Sequence, residues 1–194
     1  MNFLAHIYLS GDNTKLKIGN FIGDFLRGSK LEDFDEEIQR GIRLHRAIDL
    51  YTDNHDVVMI SKKRLWDKYR HFSGVIVDIY YDHFLARNWD EFHDTSLEKY
   101  VKDFYDMITS KSELLPNRVN EMMPHMIRHN WLENYQHFEG IEHVMMGMSR
   151  RTKHESNMEH SVEDLKEHYE DFEGDFYEFF PDLERYVQSY LEDK

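Results

Sequence analysis

The chain has 194 residues, a formal net charge of −14 and no cysteine. Its length suits a single domain with a sizeable core, and the lack of cysteine excludes a disulfide framework and a thiolate metal site. No uninterrupted apolar run of about 18 residues is present, and MNFLAHIYLS lacks the basic segment of a secretory signal. We therefore expect a cytoplasmic protein without membrane association.

The negative charge is concentrated toward the C-terminal end. Residues 155–194 carry 14 acidic and 3 basic side chains, whereas residues 1–154 carry 24 acidic and 21 basic ones. A broad basic face that could neutralise nucleic-acid phosphates is not expected, so neither is nucleic-acid binding. A local basic patch within the first 154 residues remains compatible with this distribution.

The sequence predicts an all-α single domain over residues 1–194. Only three prolines and nine glycines interrupt it, and no hairpin signal separates two alternating runs. Apolar residues recur at helical spacing instead, and the polar stretch 149–161 predicts a loop within an acidic, aromatic-rich C-terminal helical part (149–194). The predicted helices, about ten in number, span residues 2–9, 14–28, 34–53, 56–70, 74–88, 96–110, 117–136, 139–149, 161–179 and 182–192.

The first two predicted helices each carry one candidate site residue. The first is apolar on all sides except at His6, and a lone buried histidine is more often a hydrogen-bonded core residue than a metal ligand. In the second, Gly19 and Gly23 stand four residues apart, which allows another backbone to approach closely. Asp24 follows them, with a surface ion pair to Arg27 as the alternative to a site role.

The third predicted helix carries His45, Asp49 and Asp53 at four-residue spacing beside its apolar face. A histidine and two carboxylates at the edge of a buried surface are costly unless they are paired. A divalent cation would pair them, since imidazole and carboxylate groups bind borderline and hard cations. The alternative is an ordinary helix with a solvated edge, in which Arg43 and Arg46 provide ion pairs.

The fourth predicted helix contains the densest basic cluster in the sequence. Residues 62–70 hold five basic side chains and one acid, Asp67. Such clusters are commonly solvated helix faces, and a surface that binds a partner is the alternative interpretation. The five basic residues are Lys62, Lys63, Arg64, Lys68 and Arg70.

The fifth predicted helix, VIVDIYYDHFLARNW, is apolar or aromatic at most positions, which is typical of a helix buried on most sides. Yet Asp78 and Asp82 lie four residues apart on one face, with His83 beside them. Two carboxylates in apolar surroundings repel each other and need a partner. A bound cation is the favoured explanation, and a buried salt bridge to an arginine is the alternative.

Later segments contain fewer candidates. His125 and His129 have the four-residue spacing of a metal pair, but they lack the intervening glutamate of the zinc motif, so we interpret them as surface residues. Arg150 and Arg151 follow a methionine-rich helix, at the end where the helix dipole favours cations.

Several segments match the motifs of one known family in the same order. On NFLAH, GNFIGDFLRG, GIRLHRAIDLYTD, VDIYYDHFLARNW and GMSRR, which lie within residues 1–151, the chain resembles the acyl carrier protein phosphodiesterases. This family is similar to the HD phosphohydrolases and forms an atypical branch of them. The superfamily signature contains an adjacent His-Asp pair, whereas the buried pair here is Asp82-His83.

The resemblance implies an all-α, HD-like fold around a divalent metal, most commonly Mn²⁺. It also implies hydrolysis of the phosphodiester that joins 4′-phosphopantetheine to a serine of holo-acyl carrier protein, a reaction of fatty acid biosynthesis. On the motif positions, we expect Asp49 to orient the attacking water from outside the ligand set, with Arg46 and Asp53 as further catalytic residues. The expected metal ligands are His6, Asp24, His45, Asp78, Asp82 and His83.

An acidic enzyme would need a local basic surface to bind acyl carrier protein, which is acidic too. Two other functions fit the same residues. One is a metal-dependent phosphohydrolase of a nucleotide or other small phosphoester, and the other is a non-catalytic helical interaction module whose histidines and carboxylates form buried ion pairs. The basic residues expected to contact the carrier protein are Lys62, Lys63, Arg64, Arg150 and Arg151.

Overall fold

The computed structural model describes residues 1–26 and 31–192. In this part of the chain, eleven α-helices and no strand surround one hydrophobic core, which confirms the predicted all-α class. None of these helices is both long and apolar enough to span a bilayer. The helices are α1 (Phe3–Tyr8), α2 (Thr14–Ile22), α3 (Glu36–Asn54), α4 (Asp56–Tyr69), α5 (Ser73–Arg87), α6 (Leu97–Thr109), α7 (Asn117–Arg128), α8 (Trp131–Asn134), α9 (Phe138–Ser149), α10 (Ser161–Glu167) and α11 (Tyr169–Glu192).

Helix α5 lies in the middle of the core, as its sequence predicts. Most of its side chains are buried, and it packs against α1, α4, α9 and α11. The polar residues Asp82 and His83 are among the buried ones. Each therefore needs a hydrogen-bonding partner inside the fold.

Helix α2 is shorter than the predicted span 14–28. It ends at Ile22 and continues into a 3₁₀ turn, Gly23–Phe25, which is a common way for an α-helix to end. Arg27, the alternative partner of Asp24, lies outside the described residues.

Two other predicted divisions are wrong. The helix predicted over 117–136 is split into α7 and α8, because Asn130 adopts a left-handed backbone conformation between them. Conversely, α11 continues through Pro181, where the sequence predicts a break, and its start at Tyr169 separates it from α10. Buried side chains on both sides of the proline hold α11 against the core, and this packing outweighs one missing backbone hydrogen bond. These side chains are Phe172, Phe176, Phe179, Phe180, Leu183 and Val187.

Helices α2 and α3 approach each other so closely that only glycine fits at their contact. A Cβ on Gly19 would overlap the carbonyl oxygen of Ile38, and a Cβ on Gly41 would overlap that of Leu16. The close backbone approach predicted at Gly19 is therefore confirmed, and its partner is α3. This contact sets the distance between the two helices that carry Asn20 and His45.

Replacing Gly41 with alanine should destabilise the protein, because neither backbone can give way to a methyl group without separating α2 from α3. We expect a loss of about 1–3 kcal/mol in the free energy of unfolding, measured by urea denaturation followed by circular dichroism. Gly174→Ala in α11 is the matched control, since a Cβ there meets nothing within 4 Å. This control should be neutral or slightly stabilising because alanine favours helix. Equal stability of the two variants would contradict the close contact.

Candidate metal centre

Four polar side chains from α1, α3 and the turn after α2 converge at one place. The ligand atoms of His6, His45 and Asp49 all lie within 4.8 Å of one another. Asp49 bridges the two imidazoles: its Oδ1 is 3.2 Å from Nε2 of His6, and its Oδ2 is 3.1 Å from Nε2 of His45. Asp24 approaches from the other side, with Oδ1 3.3 Å from Nε2 of His45. Both histidines are buried, while both carboxylates reach solvent.

One residue, Asn20, orients both imidazoles. Its side-chain Oδ1 lies 2.7 Å from Nδ1 of His6, and its main-chain carbonyl oxygen lies 2.8 Å from Nδ1 of His45. The amide nitrogen of Asn20 donates to the carbonyl of His6 at 2.7 Å and to Oγ of Ser10 at 2.9 Å. These bonds place the amide oxygen of Asn20 toward the His6 ring. Both Nδ1 atoms therefore face acceptors and carry the ring proton.

The tautomers of the two histidines make the cluster complementary to a cation. With Nδ1 protonated, Nε2 of each neutral imidazole directs a lone pair toward the carboxylate of Asp49. Lone pairs of nitrogen and carboxylate oxygen repel each other unless a proton or a metal ion lies between them. The donor set of two imidazoles and one or two carboxylates suits a divalent cation of intermediate hardness. The residues present therefore fit a divalent metal site.

Packing brings the two rings together. The rings of His6 and His45 stack with their centroids 4.1 Å apart and their planes at 22°. A Cβ on Gly23 would overlap the ring of His45. The two glycines of α2 and the following turn thus have different purposes: Gly19 admits the backbone of α3, and Gly23 admits the imidazole that α3 carries.

The pKa shifts of the cluster indicate that His45 is the protonated imidazole and that its positive charge is paired with Asp24 and Asp49. Burial lowers the pKa of His6 to about 4, and the charge of His45 acts in the same direction. For His45, burial is outweighed by hydrogen bonds with Asp24 and Asp49, which raise its pKa to about 9. Burial opposes ionisation of Asp49, but its hydrogen bonds with His45 and His6 lower its pKa overall. A bound cation would take the place of the proton on His45, so metal binding would release a proton.

Asp78 adjoins this cluster through an amino group. The amino nitrogen of Met1 lies 3.0 Å from Oδ1 of Asp78 and 3.8 Å from Oδ1 of Asp49. Burial raises the pKa of Asp78, while the nearby amino group acts against that rise. Asp78 is thus close to the cluster, but its nearest ionic partner is this amino group.

Asp82, predicted as a metal ligand, holds α1 instead. Its Oδ2 accepts a hydrogen bond from the backbone N–H of Leu4 at 2.7 Å, and its Oδ1 accepts one from Ala5 at 3.2 Å. Burial raises the pKa of Asp82 to about 7, although the hydrogen bond from Leu4 opposes this. Both oxygens are directed at the start of the helix that carries His6. Asp82 therefore positions a site residue rather than joining the site.

His83, also predicted as a ligand, points to a different part of the core. Its Nδ1 lies 2.7 Å from the carbonyl oxygen of Tyr135, and its Nε2 lies 3.2 Å from the hydroxyl of Tyr169. The ring stacks on Phe138, and burial lowers the pKa of His83 to about 4. Adjacent positions on a helix point about 100° apart, so Asp82 and His83 cannot both face α1. His83 is a satisfied core histidine.

The basic residues of α4 are divided between two surroundings. Arg64 forms an ion pair with Asp175 of α11, so it is engaged within the fold and not presented to a partner as predicted. Lys62 lies 2.7 Å from Asp53, whose predicted catalytic role thus competes with an ion pair. Lys63 is exposed.

The three arginines considered for phosphate binding are all exposed, at different places. Arg46 follows His45 in α3. Arg151 lies after α9, where its Nε donates to the carbonyl of Gly147 at 2.9 Å, and it lines the same groove as Asp24. Arg150 does not line that groove.

Two surface grooves are lined by residues from the segments that carry the cluster. The first, the α4 groove, has a volume of about 690 Å³ and is lined by Asp53, Met59, Ile60, Lys62, Lys63 and Trp66, among others. Asp53 is one helical turn after Asp49. The second, the α9 groove, has a volume of about 400 Å³ and is lined by Asn2, Phe3, Asp24, Val75, Val144 and Met148, among others.

Sequence analysis overlooked Asn20 as a site residue. It is fully buried in α2, one turn before Asp24. The available signal was an asparagine among the buried apolar residues of an amphipathic helix. No sequence pattern indicated the α9 groove, because the residues that line it come from segments far apart in the sequence.

Relatives of this chain in several bacteria bear the name acyl carrier protein phosphodiesterase. The protein of Photorhabdus laumondii subsp. laumondii is 34% identical over 182 residues, which cover 93% of this chain and 92% of the relative. The proteins of Yersinia enterocolitica and Klebsiella pneumoniae strain 342 are 31% and 32% identical over 190 residues, covering 97% of this chain and 98% of each relative. No solved structure matches the chain.

A family model described as acyl carrier protein phosphodiesterase matches residues 1–183. This match continues beyond residue 151, where the recognisable sequence motifs end, and includes most of α11. The cluster of His6, His45 and Asp49 lies within the matched region. The chain belongs to the acyl carrier protein phosphodiesterase family.

Proposed function

We propose that this protein hydrolyses the phosphodiester that links 4′-phosphopantetheine to a serine of holo-acyl carrier protein. Water adds to phosphorus, the bond between phosphorus and the serine oxygen breaks, and the serine oxygen takes up a proton. The products are apo-acyl carrier protein and 4′-phosphopantetheine. The observation that carries this proposal is the convergence of two oriented imidazoles and a carboxylate in a chain of this family.

His6, His45 and Asp49 would hold a divalent cation, and Asp24 is close enough to join them. Manganese is our first choice, because a mixed imidazole and carboxylate set suits it and because the family resemblance implies it. Such an ion, when bound, lowers the pKa of water and polarises a phosphoryl oxygen. In this proposal Asp49 is a ligand, which differs from the role outside the ligand set expected from sequence.

Asp24 and Arg46 are the side chains best suited to the remaining steps. The carboxylate of Asp24 is 58% exposed, so it is open to solvent and can accept a proton from the attacking water. Arg46, the phosphate-binding residue expected from the sequence, is exposed and follows His45 in α3, so its side chain leaves the helix about 100° away from His45 and would have to reach back to a phosphate at the cluster. A guanidinium group matches phosphate geometry and would stabilise the charge of the phosphoryl group during the reaction.

The α4 groove is the proposed docking surface for the carrier protein. Met59, Ile60 and Trp66 are 53%, 51% and 45% exposed there, beside Lys62 and Lys63. Lys62 is paired with Asp53, so the exposed Lys63 supplies the positive charge beside these apolar side chains, and this combination is complementary to an acidic protein partner. The net charge of the chain opposes association, but salt screens exposed charges beyond about 8 Å at physiological ionic strength, so the local lysines dominate at contact.

Loss of a ligand should abolish both metal binding and turnover. We expect Mn²⁺ to raise the melting temperature of the wild-type protein, because an ion that binds only the folded state stabilises it. His45→Ala and Asp49→Ala should lose this shift and nearly all hydrolysis. Asn20→Ala should weaken metal affinity by about 10–100-fold, since it orients both imidazoles.

His83→Ala and His125→Ala are the controls for the ligand variants. His125 is exposed and His83 is bonded elsewhere in the core, so both variants should keep the Mn²⁺-dependent shift in melting temperature, although His83→Ala should be less stable. A retained shift in His45→Ala, together with a lost shift in His83→Ala, would show that the wrong imidazoles were chosen.

Mass spectrometry of holo-acyl carrier protein incubated with the enzyme and Mn²⁺ tests the reaction itself. We expect the carrier protein to lose the whole 4′-phosphopantetheine group, because the bond to the serine oxygen is the one that breaks. An unchanged carrier mass alongside rapid hydrolysis of nucleotides would instead indicate a phosphohydrolase of small substrates. An unchanged mass without Mn²⁺-dependent stabilisation would indicate an interaction module.

Reversing the charges of the two lysines that line the α4 groove should weaken docking without stopping chemistry. We expect the double variant Lys62→Glu, Lys63→Glu to raise KM about tenfold and to flatten its salt dependence, with a small change in kcat, because peripheral charges act mainly on association. The double variant Lys99→Glu, Lys102→Glu in α6 imposes the same net charge change at exposed lysines far from both grooves in sequence. Equal KM values for the two double variants would contradict docking at the α4 groove.

A further inference from the structure

The substrate has two parts, the acidic carrier protein and the neutral pantetheine arm, and the α9 groove fits the arm. We propose that the α9 groove binds the pantetheine arm while the phosphodiester lies at the His6, His45 and Asp49 cluster. The inference rests on the proposed function, and it assigns the two sides of the scissile phosphodiester to two different surfaces.

The groove begins at the cluster. Asp24 lines it and also lies 3.3 Å from His45. Asn2 and Phe3, at the start of the helix that carries His6, line it as well. A chain attached to a phosphate at the cluster would therefore enter the groove directly.

The walls of the groove match a thin, neutral ligand. Phe3, Val75, Val144 and Met148 supply apolar surface, and the volume of about 400 Å³ lies in the usual range of small-molecule sites. The pantetheine arm carries no charge and consists of methyl and methylene groups interrupted by two amides and a hydroxyl. Apolar walls with few polar groups therefore suit the arm, and they do not suit an acidic protein surface.

Polar side chains of the α9 groove can form hydrogen bonds with the amide groups of the arm. Arg151 forms a hydrogen bond with Gly147 through Nε, and it makes no ion pair with any carboxylate within residues 1–26 and 31–192. A guanidinium without a carboxylate partner can donate to the amide carbonyl groups of the arm. Asn2, whose amide nitrogen donates to Tyr135 at 2.9 Å, stands at the cluster end of the groove.

The α9 groove shares three lining residues with a second cavity. Trp131, Val144 and Arg151 line both the α9 groove and a second cavity of about 450 Å³. An elongated path from Asp24 through these residues suits a linear ligand better than a compact nucleotide. The second cavity would receive the thiol end of the arm.

The α4 groove differs from the α9 groove in charge, which is also the property that distinguishes the carrier protein from the pantetheine arm. It presents Lys62 and Lys63 beside exposed apolar side chains, whereas the basic side chain lining the α9 groove is Arg151. The acidic carrier protein therefore belongs at the α4 groove and the neutral arm at the α9 groove. Cleavage at the serine oxygen would leave 4′-phosphopantetheine in the α9 groove until it dissociates.

Calorimetry on the Mn²⁺-loaded protein tests this assignment without any turnover. Both 4′-phosphopantetheine and inorganic phosphate are titrated, so that the ratio of their dissociation constants isolates the contribution of the arm. We expect 4′-phosphopantetheine to bind at least ten times more tightly than phosphate to the wild-type protein. Val75→Trp, at a partly exposed position in the groove wall, should reduce this ratio to near one, and Val144→Trp is a second variant with the same expected effect.

Gln188→Trp is the matched control, because it adds the same side chain at an exposed position in another groove that shares no lining residue with the α9 groove. Its ratio should equal that of the wild type. A ratio near one in the wild type, or an unchanged ratio in both groove variants, overturns the proposal. Hydrolysis is measured separately: tight binding of 4′-phosphopantetheine with an unchanged carrier mass would refute the proposed function and still support the groove.

Discussion

The hydrogen bonds of Asn20 are the interaction on which the site depends. A single buried residue uses its side-chain oxygen to orient His6 and its main-chain carbonyl to orient His45. Both Nε2 atoms are thereby directed at Asp49, and Nε2 of His45 carries the proton that a cation would replace. Two imidazoles fixed by one residue cannot reorient independently, so the group that could hold a cation is already arranged.

The surrounding fold keeps Asn20 in register with its two partners. Gly19 and Gly41 bring the backbones of α2 and α3 into contact, and Gly23 leaves room for the ring of His45. Asp82 binds the first N–H groups of α1 and so fixes the helix that carries His6. The burial of this carboxylate is costly, and two backbone hydrogen bonds offset part of the cost. Asp82, a buried residue of α5, thus stabilises the position of His6 through its hydrogen bonds to α1.

Acidic residues of the C-terminal helices form ion pairs with basic residues of α4. Asp175 of α11 pairs with Arg64, and Asp164 of α10 pairs with Lys68. The acids of the last helices therefore neutralise the side of α4 that faces them. Lys62 and Lys63 remain in the α4 groove, where charge complementarity to an acidic partner can act.

The all-α class, the burial of α5 and the close backbone approach at Gly19 could all be predicted from the sequence, because each follows from local spacing and composition. The sequence also singled out His6, Asp24, His45 and Asp49, three of which the fold brings into one ligand group. Helical periodicity indicates which residues lie on the same face of a helix, but it does not indicate which other element packs against that face. The hydrogen bonds of Asp82 to the start of α1, of His83 to two tyrosines and of Asn20 to both imidazoles could not be predicted, because they depend on the packing of helices and link residues up to 86 positions apart.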